Sequence, residues 1–162
     1  MLLPLLLGAA LAAPTVQVDL PALFADELPR VAARTDVPVL LPDRMPSDFD
    51  EHVPTGFGTK REWGLQIASR PGCGGAGACF VASFGGHRGA PAPLGRRTVR
   101  LATGVLGRFT PLGCGASCSP PQIQWRMRDA TYAIQAEVGN RMTERRILIR
   151  MANSAIRSGP RG

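Results

Sequence analysis

From Trp63 to Val138 apolar side chains keep returning at every second position, and that alternation limits the folds open to this chain. Trp63, Leu65 and Ile67 share one face of an extended run over 62–69. Phe80, Ala82 and Phe84 share another over 79–84, Val99 and Leu101 mark a third, and Leu106 to Pro111 a fourth. Ile123, Trp125 and Met127 follow; after Asp129-Ala130, Tyr132, Ile134, Ala136 and Val138 share a face that Gly139-Asn140 closes. A period of two puts successive side chains on opposite sides of a strand. Strands of this kind predict an antiparallel sheet, one face buried and the other solvated.

Thr143 to Ser158 switches to helical spacing. Ile147, Leu148, Met151, Ala152, Ala155 and Ile156 fall on one side, and Arg146, Arg150, Asn153 and Arg157 on the other. Thr143 is the expected cap, Glu144 suits the positive end of the helix dipole, and Gly159-Pro160 stops the helix. Its apolar side is expected to lie across the sheet. Upstream, Asp19 before Pro21 suits a helix start, and Leu20, Phe24, Leu28 and Val31 keep helical spacing. Pro29 predicts a kink there, or two short helices. Val37 to Leu41 reads as an edge-type strand closed by Pro42, and Asp43 to Lys60 as a long loop with Pro46, Pro54, Gly56 and Gly58.

The first thirteen residues, Met1 to Ala13, form a short apolar run ending in Ala10-Leu11-Ala12. Small residues flanking one larger residue suit signal-peptidase cleavage. The run is far shorter than the ~20 residues a membrane-spanning helix needs. An export signal over 1–12 and one secreted domain over 13–162 are the expectation, although no Lys or Arg precedes the apolar run. The protein is expected outside the cytoplasm, periplasmic or secreted, and not membrane-spanning.

That compartment changes the meaning of Cys73, Cys79, Cys114 and Cys118. An even cysteine count in an oxidising medium argues for disulfides. If the strands form a simple meander, the 71–79 and 112–121 loops lie at opposite ends of the sheet. That favours Cys73–Cys79 and Cys114–Cys118, each clipping its own loop. Chain entropy assigns such short loops about 2–2.5 kcal/mol each, against nearly 4 for a bridge of ~36 residues. Zinc is the sharper alternative: C-x3-C fits a structural site, but C-x5-C is wide and exported thiolates oxidise.

Charge is segregated. Residues 1–62 carry nine carboxylates against five bases, a net −4; residues 63–162 carry three against fourteen, a net +11. All bases but Lys60 are arginine. This permits an internal acid-to-base match or a surface that attracts anions. The exposed candidates for anion binding are Arg146, Arg150 and Arg157, whose guanidinium forks suit phosphate or carboxylate. Asp43, Asp48, Asp50 and Glu51 lack the spacing of a calcium loop and read as a solvated acidic segment. His52 and His87 have no motif around them. Gly115-Ala116-Ser117-Cys118 lacks the closing glycine of a nucleophile elbow and precedes a strand, where the elbow needs a helix. No catalytic, metal or cofactor signature emerges, and no nucleic-acid motif.

Cys114-Gly-Ala-Ser-Cys-Ser-Pro-Pro121, Ile123-x-Trp125, Tyr132-x-Ile134 and Met151-Ala-Asn-Ser-Ala-Ile156 together resemble a pattern of uncharacterised exported bacterial proteins. The match covers mainly 112–157, with Val37 to Pro42 as a weaker upstream element. More distantly, a curved antiparallel sheet with a helix on its concave side is similar to half of a periplasmic lipoprotein-carrier domain. The resemblance implies a fold and a compartment, and carries no catalytic residues.

The expected fold is α+β: a curved antiparallel sheet of six or seven strands with amino-terminal and carboxy-terminal helices packed on it. The expected function is non-catalytic: an exported binding or envelope-associated protein whose basic surface engages an anionic polymer, lipid headgroups or an acidic protein. An alternative is a carrier holding an apolar ligand between sheet and helix, in a pocket lined by Trp125, Tyr132 and Met151. A hydrolase ranks last, since it needs a nucleophile, base and oxyanion donors converging at one cleft.

Overall fold

The computed structural model describes residues 15–73, 77–89 and 95–162. The leader expected at 1–12 lies outside the described residues. The chain runs β1 (Val16–Asp19), α1 (Leu20–Leu23), α2 (Glu27–Ala32), β2 (Arg44–Ser47), β3 (Val53–Thr59), β4 (Glu62–Ala68) and β5 (Phe80–Arg88). It continues with β6 (Arg97–Arg100), β7 (Leu106–Thr110), β8 (Gly113–Cys114), β9 (Cys118–Ser119), β10 (Gln122–Met127), β11 (Ala130–Ala136) and α3 (Glu144–Ser158). Seven strands form one antiparallel sheet in the order β3-β4-β5-β11-β10-β7-β6. β1–β2 and β8–β9 are separate two-stranded ribbons. Among the described residues no helix is long and apolar enough to cross a membrane.

The architecture is the expected α+β one. α2 packs on β3 and β4, and α3 on β10 and β11. All six apolar residues assigned to the inner side of α3 are buried. Along β4, Trp63, Leu65 and Ile67 are buried while their neighbours are half-buried, as alternation requires. In β5 the phase slips. A bulge opposite Ile67/Ala68 leaves Val81 unpaired, so Val81, Ala82 and Phe84 are buried and Phe80 is only half-buried. One register row crosses the sheet as Trp63, Gly86, Tyr132, Trp125, Gly107 and Val99. Its rings touch: Trp125 stacks on Tyr132 at 5.6 Å, and Trp63 tilts against Tyr132 at 6.5 Å.

Several expectations need correction. The sheet is no simple meander, because the connection after β5 carries the chain to the far edge at β6. This crossover brings the two cysteine loops to the same end: Ala68 pairs with Phe80, Ala82 with Ala136, and Gln122 with both Gln135 and Thr110. The disulfides are nonetheless Cys73–Cys79 and Cys114–Cys118. Closeness within each loop, and not separation between loops, selects that pairing.

The segment 16–34 opens with a strand, and its two short helices part at Phe24 to Asp26, not at Pro29. Asp19 does cap α1, accepting the Ala22 N–H at 3.0 Å. Val37 to Leu41 is not a sheet edge: it makes a single bridge, Leu40 to Pro160, and sinks Val37, Val39, Leu40 and Leu41 into the core. Pro38 and Pro42 have no N–H to give a ladder. The expected loop 43–60 contains β2 and β3. In β3 the glycines allow close packing instead of marking turns. A Cβ on Gly58 would stand 2.8 Å from the Val31 carbonyl oxygen of α2. Thr143 sits at the N-cap of α3 without a side-chain cap bond; its Oγ1 accepts the Asn140 N–H instead.

Candidate anion-binding cleft

The β1–β2 ribbon lies beside α3, and the tie between them starts at Asp43. The Asp43 carboxylate accepts hydrogen bonds from Ser154 Oγ at 2.8 Å and Ser158 Oγ at 3.0 Å, and pairs with Arg161. Its backbone N–H donates to Ser154 Oγ at 3.0 Å. The Ser154 hydrogen bond, with help from Arg161 and Ser158, holds this carboxyl below its usual range despite some desolvation. One member of the acidic segment therefore meets the basic half internally. Among the described residues no three His, Cys, Asp or Glu side chains converge to hold a metal ion.

Above this tie the ribbon and α3 enclose two adjoining hollows of about 530 and 460 Å³. Both share Pro46, Ile147 and Arg150. Arg44 lines the first and Arg146 the second. All three guanidinium-bearing residues are exposed. Among the described residues none of the three forms an ion pair or donates a side-chain hydrogen bond to protein. Arg146 and Arg150 stand one helical turn apart on the same side of α3, where residues four apart are neighbours. Arg44 stands across the first hollow from Arg150 because it follows Asp43, which is pinned to Ser154.

Two carboxylates, Asp48 and Glu137, also line the second hollow. Burial pushes the Glu137 carboxyl above its ordinary value, and it makes no ion pair among the described residues. Arg157 is exposed but lines neither hollow, two turns beyond Arg150. The structure thus joins Arg150 to Arg44, which sequence reasoning had left in a loop, and places Arg146 in the adjoining hollow. The cue was available: Arg44-Met-Pro-Ser47 alternates exposed and buried, but Pro46 argued against a strand.

The remaining candidates are structural. His52 Nε2 lies 2.8 Å from Ser47 Oγ. That hydroxyl also accepts the Phe49 N–H at 3.2 Å and belongs to a residue only 2% exposed. The pair fastens the turn after β2 and offers no accessible nucleophile. His87 Nε2 lies 3.7 Å from Glu62 Oε2 at the sheet surface. Glu144, 3% exposed, accepts the Leu112 N–H at 3.2 Å and so ties the Cys114–Cys118 loop to the first turn of α3. Trp125, Tyr132 and Met151 are each at most 3% exposed and belong to the packed core. A further hollow of about 360 Å³ on the outer sheet face, beside Phe57, Gly64 and Gly85, has no charged residue in its lining.

No protein family, curated protein or solved structure matches this chain.

Proposed function

We propose that the protein is an extracytoplasmic, non-catalytic binding protein that engages an anionic partner through its arginine surface. The observation carrying this reading is that Arg44, Arg146 and Arg150 line two adjoining hollows, and among the described residues none of them pairs with a carboxylate. Unpaired guanidiniums lining a concavity of a few hundred Å³ are what an anionic group needs. The two disulfides support a location outside the cytoplasm, where such bonds persist. A leader over residues 1–12 would supply the route. The carrier reading has no observation in its favour, since Trp125 and Tyr132 stack directly on each other.

The test is retention on anionic liposomes and anionic polysaccharide at low and high salt. Retention at low salt that fades as salt screens the charges is expected. Unchanged retention after joint replacement of Arg146 and Arg150 by glutamine would remove the cleft from the account. Sequencing the amino terminus of the exported protein tests the leader: a start near Ala13 is expected, and an intact Met1 with free thiols overturns the compartment.

A further inference from the structure

We infer that the hollow between the β1–β2 ribbon and α3 is a site for a terminal phosphate group, held by Arg44 and Arg150 together. This rests on the anion-binding reading above and names the chemistry of its ligand. A carboxylate offers two oxygens, and one guanidinium fork satisfies both. A phosphate monoester presents three free oxygens around a tetrahedral centre and up to two charges. Two forks from facing walls supply more donors than a carboxylate can use and match the wider spread of phosphate oxygens. Arg150 comes from α3 and Arg44 from the facing ribbon, while Arg146 lies one helical turn away in the adjoining hollow.

The charge balance agrees. Asp43, the carboxylate nearest Arg44 in sequence, is already committed to Ser154, Ser158 and Arg161. It leaves Arg44 and Arg150 uncompensated in the first hollow, where among the described residues no other carboxylate contributes to the lining. Pro46 and Ile147 form the apolar floor common to both hollows, which suits whatever carbon group the phosphate is attached to. The same phosphoryl chemistry occurs on a lipid headgroup or on a small soluble ester, and the two sources are separable by experiment.

Calorimetric titration of the intact, oxidised chain with inorganic phosphate and with acetate at low salt tests the site. Phosphate is expected to bind, and acetate at least about tenfold more weakly. Arg44→Gln and Arg150→Gln should each weaken phosphate binding about tenfold, the scale of one charge-assisted hydrogen bond. Arg157→Gln should leave it unchanged. All are exposed side chains, and thermal melts check that each variant folds. Phosphatidic acid vesicles, compared with phosphatidylglycerol vesicles of matched surface charge, separate the sources. Preferred binding to phosphatidic acid supports a lipid headgroup. Binding of free phosphate without that preference supports a soluble ester. Acetate binding as tightly as phosphate, or an Arg44→Gln variant that binds normally, overturns the phosphate site while leaving salt-sensitive retention on polymers intact. Failure of every anion to bind overturns both.

Discussion

Asp43 and Arg161 form an ion pair although 118 positions separate them. The pair closes the acidic half of the chain onto the basic half and sets the ribbon against α3. Asp43 is exposed and Arg161 half-buried, so the energy is modest: surface pairs contribute ~0–1 kcal/mol. Asp43→Asn is expected to lower stability by about 1 kcal/mol in urea unfolding, counting the weakened serine hydrogen bonds. The lowered Asp43 pKa gives a sign to the acid response. Between the folded and unfolded values the unfolded chain binds the proton more readily, so stability rises with pH there. Wild type should therefore lose this contribution as pH drops below ~4, while the asparagine variant shows no such component.

Tyr132 is the chain's one tyrosine, so an ultraviolet titration reads it alone. Burial pushes its phenol up to about 12, with Asp129 adding to the rise. In denaturant the same group should titrate near ~10. Between those values the unfolded chain has lost the proton and the native one has kept it, so stability declines as pH rises. A native midpoint near 10 would show that the ring is not held in the Trp63–Tyr132–Trp125 row.

Gly86 makes room for that row. A Cβ there would stand 2.5 Å from Trp63 Nε1 and 3.0 Å from Tyr132 Cε1. Gly86→Ala is expected to cost about 1–3 kcal/mol, the range for overpacking a close-packed core. Denaturant midpoints and near-ultraviolet dichroism of the indoles check it.

Glu137, with Asp48, puts negative charge into the second hollow. Glu137→Gln removes one of those charges and should tighten phosphate binding next door about twofold at low salt, the scale of one screened charge. The gain should shrink as salt is added. Weaker phosphate binding would mean that Glu137 orders Arg150 rather than competing with its ligand.

The most regular parts of the fold were legible in the sequence because burial there follows one period. The inner face of α3 and the alternation in β4, β10 and β11 needed no outside information. β3 was hidden because Gly56 and Gly58 imitate turn residues, while Gly58 in fact admits the backbone of α2. β1 and β2 were hidden because neither belongs to the main sheet, and Pro46 sits where a ladder donor is not needed. The cleft was half legible. Arg146 and Arg150 follow from the helical period, but Arg44 is brought beside Arg150 through the serine contacts of Asp43, across 111 positions. Both cysteine pairings were readable from proximity, whereas the shared end of their loops depends on a crossover that spacing does not encode.

That shared end makes the reinforcement of the sheet lopsided. Two sulfur bridges secure one rim. The opposite rim is held by backbone bonds from Arg88 to Arg61 and from Gly89 to Asp129. The Arg88 side chain adds to them, pairing with Asp129 at 2.6 Å and donating to the Asp36 carbonyl at 3.1 Å. A reductant therefore acts on one margin of this molecule and finds no sulfur bond to cut at the other among the described residues.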